Sequence, residues 1–431
     1  MKNRAEKSNK IWVGGEVKGP NKIWVTGRRD AIFFCMLLAG YTAATLYLFI
    51  MQCHQVPDFV SDMPDYVSEV AGIKGNYEFP YPLFFMVGKF FALFAGAETG
   101  TAIATAFLNS LGVCVAKFYM DRLILKQDIL NGKDTLRGMI STAAVFALFL
   151  LGNLYSPKNT AFFGFDYAYR CMGIYTPNPI WNATYMATRP FAVICFFEGC
   201  RMVTLVGKGS FEIKDALWFG IGLFLTTVTK PSFTMVIVPA MGIILLVQLV
   251  CTRFKRFKDA FMLCLTMLPT LIALLYQFFG VFTGTNSHGE ETGIGIAFAK
   301  VWSNYSTNIP LSIVMGMALP IGVLVLNIKE LKKNPCFGFA WANYLVSMLM
   351  FLLFYEKGFR MLHANFSWGY MHGMFFVFMV TLVLVIKNTV RWFKTKKFIF
   401  VLAEWGVLLF HLVCGVNFFV YALQGKELAG F

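Results

Sequence analysis

Apolar residues run in long stretches that alternate with short polar segments along most of this chain. Each stretch approaches the roughly 20 residues that a helix needs to cross the hydrocarbon core of a membrane. Eleven stretches predict transmembrane helices, at 31–52, 98–118, 139–155, 183–206, 214–229, 232–251, 260–282, 309–328, 336–355, 369–387 and 398–422. The pattern therefore predicts an all-α polytopic membrane protein with about 11 transmembrane helices.

A further apolar run, Tyr81–Ala97, is short, follows a proline and contains Lys89. Lys and Arg near span ends favour the cytoplasmic side. If this run does not cross, the cytoplasmic segments hold 28 of the 38 basic residues. We therefore predict an amphipathic or re-entrant helix in the outer leaflet of the cell membrane. The same rule predicts a cytoplasmic N-terminus and an extracytoplasmic C-terminus.

This topology gives the chain a simple organisation. Residues 1–30 form a basic cytoplasmic tail in which the pentapeptide NKIWV occurs twice. Residues 31–431 form a single transmembrane domain, and its two largest predicted outer loops are 53–97 and 156–182. Outer-face chemistry is therefore expected in these two loops.

Composition narrows the classes of partner. The chain has 38 Lys and Arg against 23 Asp and Glu, while 57% of its residues are apolar. In a membrane protein such an excess reflects cytoplasmic loops that face anionic lipid, so we predict membrane lipids and no nucleic acid as partners. Signatures of soluble enzymes such as a Walker loop, GxSxG or HExxH do not occur, and the predicted inner loops are short. The expected substrates are lipid-linked or external.

The stretch DFVSDMPDYVSEV at residues 58–70 contains four acidic residues and no basic one: Asp58, Asp62, Asp65 and Glu69. Pro64 is best tolerated in the first turn of a helix, which predicts a helix start near Met63, with Val67, Val70 and Ala71 on its apolar side. Asp62 then has two interpretations, either as a helix cap, together with or in place of Ser61, or as a general base at the membrane surface.

Several cations lie in or beside the predicted outer segments. Lys230 follows a span of about 22 Å in helical form, so its turn is predicted to be recessed, where a lysine needs an anion unless it reaches water. Arg189, near the outer end of a span, either marks a polar cavity or extends to the interface. Arg360 and His363 share one helical face and either meet a phosphate or belong to an outer cap with a Glu356–Arg360 ion pair.

Local motifs add a resemblance. The segments SDMPDY, EFPYPLFF, PNPIWNATYMATRPF and TKPSF, in this order of spans and loops, resemble the GT-C superfamily of integral-membrane glycosyltransferases, in particular bacterial members that accompany envelope polysaccharide genes. The resemblance implies a GT-C-like fold and inverting transfer of a sugar from a polyprenyl-phosphate or diphosphate donor. The acceptor is an extracytoplasmic saccharide, lipid or protein.

The resemblance also implies roles for individual residues. In that superfamily a carboxylate in the first outer loop acts as base, and the matching residue by position is Asp62, with Asp65 second and Asp58 third. The substrate and phosphate would be held by residues drawn from the later segments: Lys230, Arg189, Asp166, Arg360 and His363. Clustered acids fit either a Mg or Mn ion or a hydrated surface patch, so no cofactor is certain. A transporter or flippase of lipid-linked saccharides and an inactive membrane scaffold are the alternative functions.

Overall fold

The computed structural model describes residues 27–73, 79–125, 134–154, 176–282, 293–306 and 308–426. Within these ranges the helices are α1 (Arg28–Cys53), α2 (Met63–Ala71), α3 (Leu83–Leu125), α4 (Asp134–Leu150), α5 (Ala183–Lys208), α6 (Ile213–Thr229), α7 (Thr234–Cys251), α8 (Phe257–Leu265), α9 (Leu268–Phe282), α10 (Ile309–Leu326), α11 (Glu330–Lys333), α12 (Pro335–Leu353), α13 (Ser367–Lys394) and α14 (Phe398–Leu423). Strands β1 (Ile294–Ile296) and β2 (Phe354–Glu356) pair antiparallel, and 3₁₀ turns occur at Trp302–Asn304 and Gly358–His363. The predicted basic tail and its repeat lie almost entirely outside the described residues.

The helices are those of a multi-pass membrane protein. Eight helices in the described ranges are long and apolar enough to cross a membrane, or nine if α8 and α9, which are bent by 50° at a short break, count as one span. A helix also lies at each of the eleven predicted stretches, although α4 and α6 have only 17 residues each. The structure therefore confirms the all-α polytopic class.

Helix α3 contains a sharp break at Gly96, where φ is 78° and ψ is 167°. A β-carbon at Gly100 would lie 2.5 Å from the Ala92 amide nitrogen, so the two limbs approach closely and leave no space for a side chain there. Glycine is suited to both positions, since at Gly96 it tolerates positive φ and at Gly100 it has no side chain to clash with Ala92. The first limb exposes four large apolar side chains: Met86, Phe90, Leu93 and Phe94.

Helix α2 begins at Met63, as the sequence predicts, and carries Pro64 in its first turn. The Met63 amide donates to Ser61 Oγ at 3.2 Å, whereas the Asp62 side chain makes no capping hydrogen bond. The buried side of α2 consists of Met63, Tyr66, Val67 and Val70. The prediction for Ala71 was wrong, because this residue is exposed at the end of the helix, before Gly72 turns the chain with a φ of 73°.

Helix α13 forms the centre of the bundle. Its side chains are buried along nearly the whole apolar length, and it contacts α3, α4, α5, α7, α10, α12 and α14. Helices α1, α7 and α14 instead expose many apolar side chains at the periphery, as expected of surfaces that face lipid. The first residues of α13, including Trp368, lie at the end of the bundle where the candidate site is found.

A buried ionic cluster joins α1, α3 and α4. Lys117 Nζ lies 3.0 Å from Asp30 Oδ2 and 2.5 Å from Asp121 Oδ1, and Thr142 Oγ1 donates to Asp30 Oδ1 at 2.7 Å. Lys117 and Asp30 are each only 1% exposed. Because a lone buried charge is costly, this lysine stabilises the carboxylates of α1 and α3, and the Thr142 hydroxyl joins α4 to the cluster.

Replacing Lys117 with Ala should strongly destabilise the protein. The variant would leave Asp30 and Asp121 buried without their cation, which typically costs about 3–5 kcal/mol. Lys89→Ala serves as the matched control because Lys89 is exposed on the first limb of α3. Thermal unfolding of the purified protein in detergent should show a large loss for Lys117→Ala alone. Equal melting temperatures for the two variants would contradict the role of the cluster.

Candidate functional site

A cavity of about 570 Å³ opens at one end of the helix bundle. Besides helix α9, six stretches of chain contribute to its wall, and all of them except the part from residue 232 to residue 235 belong to segments that the sequence predicts to lie outside the membrane. These stretches are residues 62–66 and 79–81, residues 181–182, residues 230–235, residues 294–305 and residues 356–368. Helix α9 closes the remaining side. The cavity is thus built from residues that are distant in sequence.

The side-chain amide of Asn182 lies at the centre of the polar wall. Its Nδ2 donates to Asp62 Oδ2 at 2.8 Å and to the Tyr66 hydroxyl at 2.6 Å. Its Oδ1 accepts from Lys230 Nζ at 3.0 Å. One amide therefore links the first acidic loop, the start of α5 and the turn between α6 and α7.

Lys230 follows the last residue of α6, where the chain turns through Pro231 into α7. Its side chain is 7% exposed, and Nζ donates to Asn182 Oδ1 and to Thr184 Oγ1, each at 3.0 Å. Nζ also lies 4.6 Å from the centre of the Trp368 ring, close enough for a cation–π interaction. Burial lowers the pKa of Lys230 to about 7, and the carboxylates of Asp62 and Glu356 oppose this shift.

Asp62 lines the cavity immediately before α2. Burial raises its pKa above the usual range, while the hydrogen bond from Asn182 and the charge of Lys230 act in the opposite direction. Oδ1 of Asp62 accepts no hydrogen bond from any residue that the structure describes. Asp65 also lines the cavity, and burial raises its pKa, but it lacks a comparable network of partners in the described ranges. The geometry therefore favours Asp62 over Asp65 as a base.

A second carboxylate, Glu356, lies on the same cavity at the end of β2. Asn365 Nδ2 donates to Glu356 Oε2 at 2.7 Å, and burial raises the pKa of this carboxyl. Arg360 and His363 line the cavity nearby, and burial together with the charge of Arg360 lowers the pKa of His363. No ion pair joins the two described residues Glu356 and Arg360, so the predicted pair does not form.

The remaining wall is largely apolar. Helix α9 contributes four apolar side chains to the cavity, Leu274, Leu275, Phe278 and Val281, together with Gln277. Ile272, Tyr276 and Phe279 on the same helix are more than half exposed. Because α9 has one side toward the cavity and another toward the outside of the bundle, the cavity combines a charged end with an apolar end next to lipid.

Arg189 does not line this cavity. It is 1% exposed, and its guanidinium donates to Asn109 Oδ1 at 3.2 Å, to the Pro177 carbonyl at 3.0 Å and to Asn178 Oδ1 at 2.9 Å. Groups of the protein itself therefore supply the polar partners that a buried arginine needs. We correct its expected role from phosphate binding to holding the segment that leads into Asn182.

The structure brings five of the seven sequence-predicted site residues to one cavity: Asp62, Asp65, Lys230, Arg360 and His363. Asp166 lies outside the described residues. Sequence reasoning missed Asn182, Tyr81 and Trp368 and gave Glu356 only an ion-pair role. One feature of the sequence could have drawn attention to Asn182, because it directly precedes an apolar helix in the position of a capping residue.

The described residues contain no group of three or more His, Cys, Asp or Glu side chains placed to hold a metal ion. Asp58 and Glu69, which belong to the acidic stretch, do not line the cavity. The acidic stretch is therefore divided, with Asp62 and Asp65 on the cavity wall and Asp58 and Glu69 away from it.

Comparisons with protein-family models, with curated proteins and with solved structures find no match for this chain. The functional argument consequently rests on the cavity and its residues.

Arg189 and Lys230 should differ in their contribution to stability. Arg189→Met would leave buried acceptors unpaired, at about 1–3 kcal/mol for each group. Lys230→Met should cost little or raise the melting temperature, because an ammonium that is buried against neutral oxygens is itself unfavourable. Thermal unfolding of both variants in detergent checks this. A loss for Lys230→Met as large as that for Arg189→Met would contradict the assignment.

Proposed function

We propose that this chain is a glycosyltransferase of GT-C-like architecture that transfers a sugar from a polyprenyl-phosphate or diphosphate donor to an extracytoplasmic acceptor, with inversion. One observation carries the proposal. A carboxylate, Asp62, and a buried ammonium, Lys230, are joined through Asn182 on the wall of a cavity whose other side is apolar. This combination suits a reaction in which an anionic group leaves from a lipid carrier.

The proposed chemistry needs only these groups. Asp62 takes the proton from the acceptor hydroxyl while the acceptor oxygen attacks the anomeric carbon. The bond between that carbon and the phosphate oxygen breaks, and the electron pair leaves with the phosphate. Lys230 and Arg360 stabilise the charge on the leaving group, so no general acid is required. Attack opposite to the leaving group inverts the anomeric centre.

The cavity also offers places for the lipid and the sugar. The apolar side chains of α9 suit an isoprenoid chain that enters from the bilayer, since α9 faces both the cavity and the outside of the bundle. Aromatic rings at the charged end, such as Tyr81 and Trp368, suit stacking against a sugar. The acceptor is proposed to be a saccharide, lipid or protein in the synthesis of an envelope polysaccharide.

The contact between Asp62 and Asn182 supports the predicted topology. The chain between these residues contains two helices that match predicted spans, the second limb of α3 and α4. Two crossings return the chain to the side on which it started, so the first limb of α3 need not cross. This supports about 11 spans with an outer-leaflet helix. The orientation in the cell membrane stays a prediction from the positive charges.

A transporter of lipid-linked saccharides is the second candidate. Interruptions of helical structure favour it, among them the turn at Lys230 between α6 and α7 and the 50° bend between α8 and α9. Both candidates bind the same kind of lipid. They differ in whether a covalent bond to an acceptor forms.

Asp62→Asn should abolish sugar transfer while the protein remains folded. General base catalysis typically contributes about 10²–10⁴-fold, and the amide cannot accept the proton. The measurement is transfer of labelled sugar by purified protein in nanodiscs, using the donor that mass spectrometry identifies among its retained lipids. Asp65→Asn is the matched control and should lose less activity.

Full transfer by a folded Asp62→Asn variant would overturn the assignment of the base. If wild-type protein moves the donor across vesicle membranes but forms no product with any acceptor tested, the transporter is correct instead.

The proposed reaction should have a bell-shaped dependence of kcat/KM on pH. Rates should rise with pH as Asp62 loses its proton, because its pKa is raised and only the carboxylate is a base. Rates should fall again above pH of about 7, where Lys230 loses the charge that holds the phosphate. Lys230→Arg should move the alkaline limb to higher pH, since arginine stays protonated. An alkaline limb at the same pH in this variant would exclude Lys230 as its origin.

A further inference from the structure

The two ends of the Asn182 amide hold the two charged groups of the site at the same time. We propose that Asn182 is a positioning residue that fixes the Asp62 carboxylate relative to the Lys230 ammonium. This inference rests on the proposed function and deepens it, because it assigns a role to a residue that touches neither the leaving group nor the attacked carbon.

The orientation of the amide follows from its partners. The Tyr185 backbone N–H donates to Asn182 Oδ1 at 2.9 Å, and Lys230 Nζ donates to the same atom at 3.0 Å. Both partners are donors, so the atom that faces them must be the oxygen. The NH₂ group then has to point toward Asp62 and Tyr66, where it donates both of its hydrogens.

This orientation acts on the proposed base. A hydrogen bond donated to a carboxylate favours its charged form. The other titratable groups that face Asp62 are Lys230 from the turn before α7, Asp65 and Tyr66 from α2, and Tyr81 from the segment before α3. Lys230 is the cation of this set, and it reaches Asn182 directly. The amide thus favours the charged form of the carboxylate and contacts the ammonium at the same time.

Asn182 is itself held rigidly. It is 3% exposed and caps the start of α5. The Asp62 backbone N–H donates at 3.3 Å to the carbonyl of Trp181, the residue before Asn182. Arg189 fixes the same segment through Pro177 and Asn178. A side chain anchored in this way can set the geometry of two neighbours that come from different loops.

Other capping asparagines provide a contrast. Asn334 caps α12 by accepting from the Phe337 N–H at 3.3 Å, and its described hydrogen bonds include no charged side chain. Asn182 is the first residue of the triplet Asn-Ala-Thr, a pattern that glycosylation enzymes recognise. Its burial and its hydrogen bonds leave no accessible amide for such a modification. The triplet instead supplies Asn182 and Thr184 to Lys230.

The test measures the protonation of Asp62 directly and uses no sugar donor. Infrared difference spectra of purified protein in nanodiscs are recorded across a pH titration, and the carboxylic acid band of Asp62 is identified by its loss in Asp62→Asn. The titration is repeated for Asn182→Ser, in which serine can still cap α5 but is too short to bridge Asp62 and Lys230. Asn334→Ser is the matched control for loss of an asparagine cap.

We expect Asn182→Ser to raise the midpoint of the Asp62 titration by about one to two pH units, as the loss of a hydrogen bond to a charged group predicts. Asn334→Ser should leave the midpoint unchanged. An unchanged midpoint in folded Asn182→Ser would show that Asn182 only caps a helix and would overturn the inference. Since no donor is involved, that result would leave the proposed sugar transfer standing, which Asp62→Asn tests separately.

Discussion

A charged side chain inside an apolar helix bundle needs a partner inside the protein, because neither lipid nor packed side chains can solvate it. Three of the buried cations in the described ranges illustrate this constraint in different ways. Lys117 lies between two carboxylates, and Arg189 is surrounded by amide and carbonyl oxygens. Lys230 contacts neutral oxygens and an aromatic ring, while its nearest carboxylates stay beyond ion-pair distance. No carboxylate in the described part of the chain forms an ion pair with Lys230, and this makes it the chemically informative cation.

The same constraint explains the arrangement around the site. Residues 176–182, which lead into α5, have buried polar groups, and Arg189 donates to two of them, the Pro177 carbonyl and Asn178 Oδ1. This fixes Asn182, which in turn joins the acidic loop to the turn before α7. Structural and functional polar groups therefore form a single connected network, in which one buried arginine supports the residues that line the cavity. A substitution of Arg189 would therefore disturb the cavity residues, although Arg189 itself does not line the cavity.

Prediction from sequence worked where the physical rule was local. Spans follow from the length of apolar runs, and the start of α2 follows from Pro64. The short apolar run before Lys230 predicted a recessed turn, and Lys230 is buried at the end of α6. Predictions failed where a residue had several possible partners. The sequence indicated that Arg189 needs polar partners, but it could not show whether these are a bound ligand or oxygens of the protein. In the structure one partner is the Pro177 carbonyl, 12 residues earlier in the chain.

The sequence by itself determined the class of the protein and the positions of its helices, because hydrophobicity and proline geometry act over short stretches of chain. Only the tertiary structure decided that Asp62, Asn182, Lys230 and Glu356 share one cavity. It also decided that Ser61, and not Asp62, provides the capping contact of α2. Contacts such as Asn182 with Asp62 join residues 120 positions apart, and their geometry depends on the packing of every helix between them.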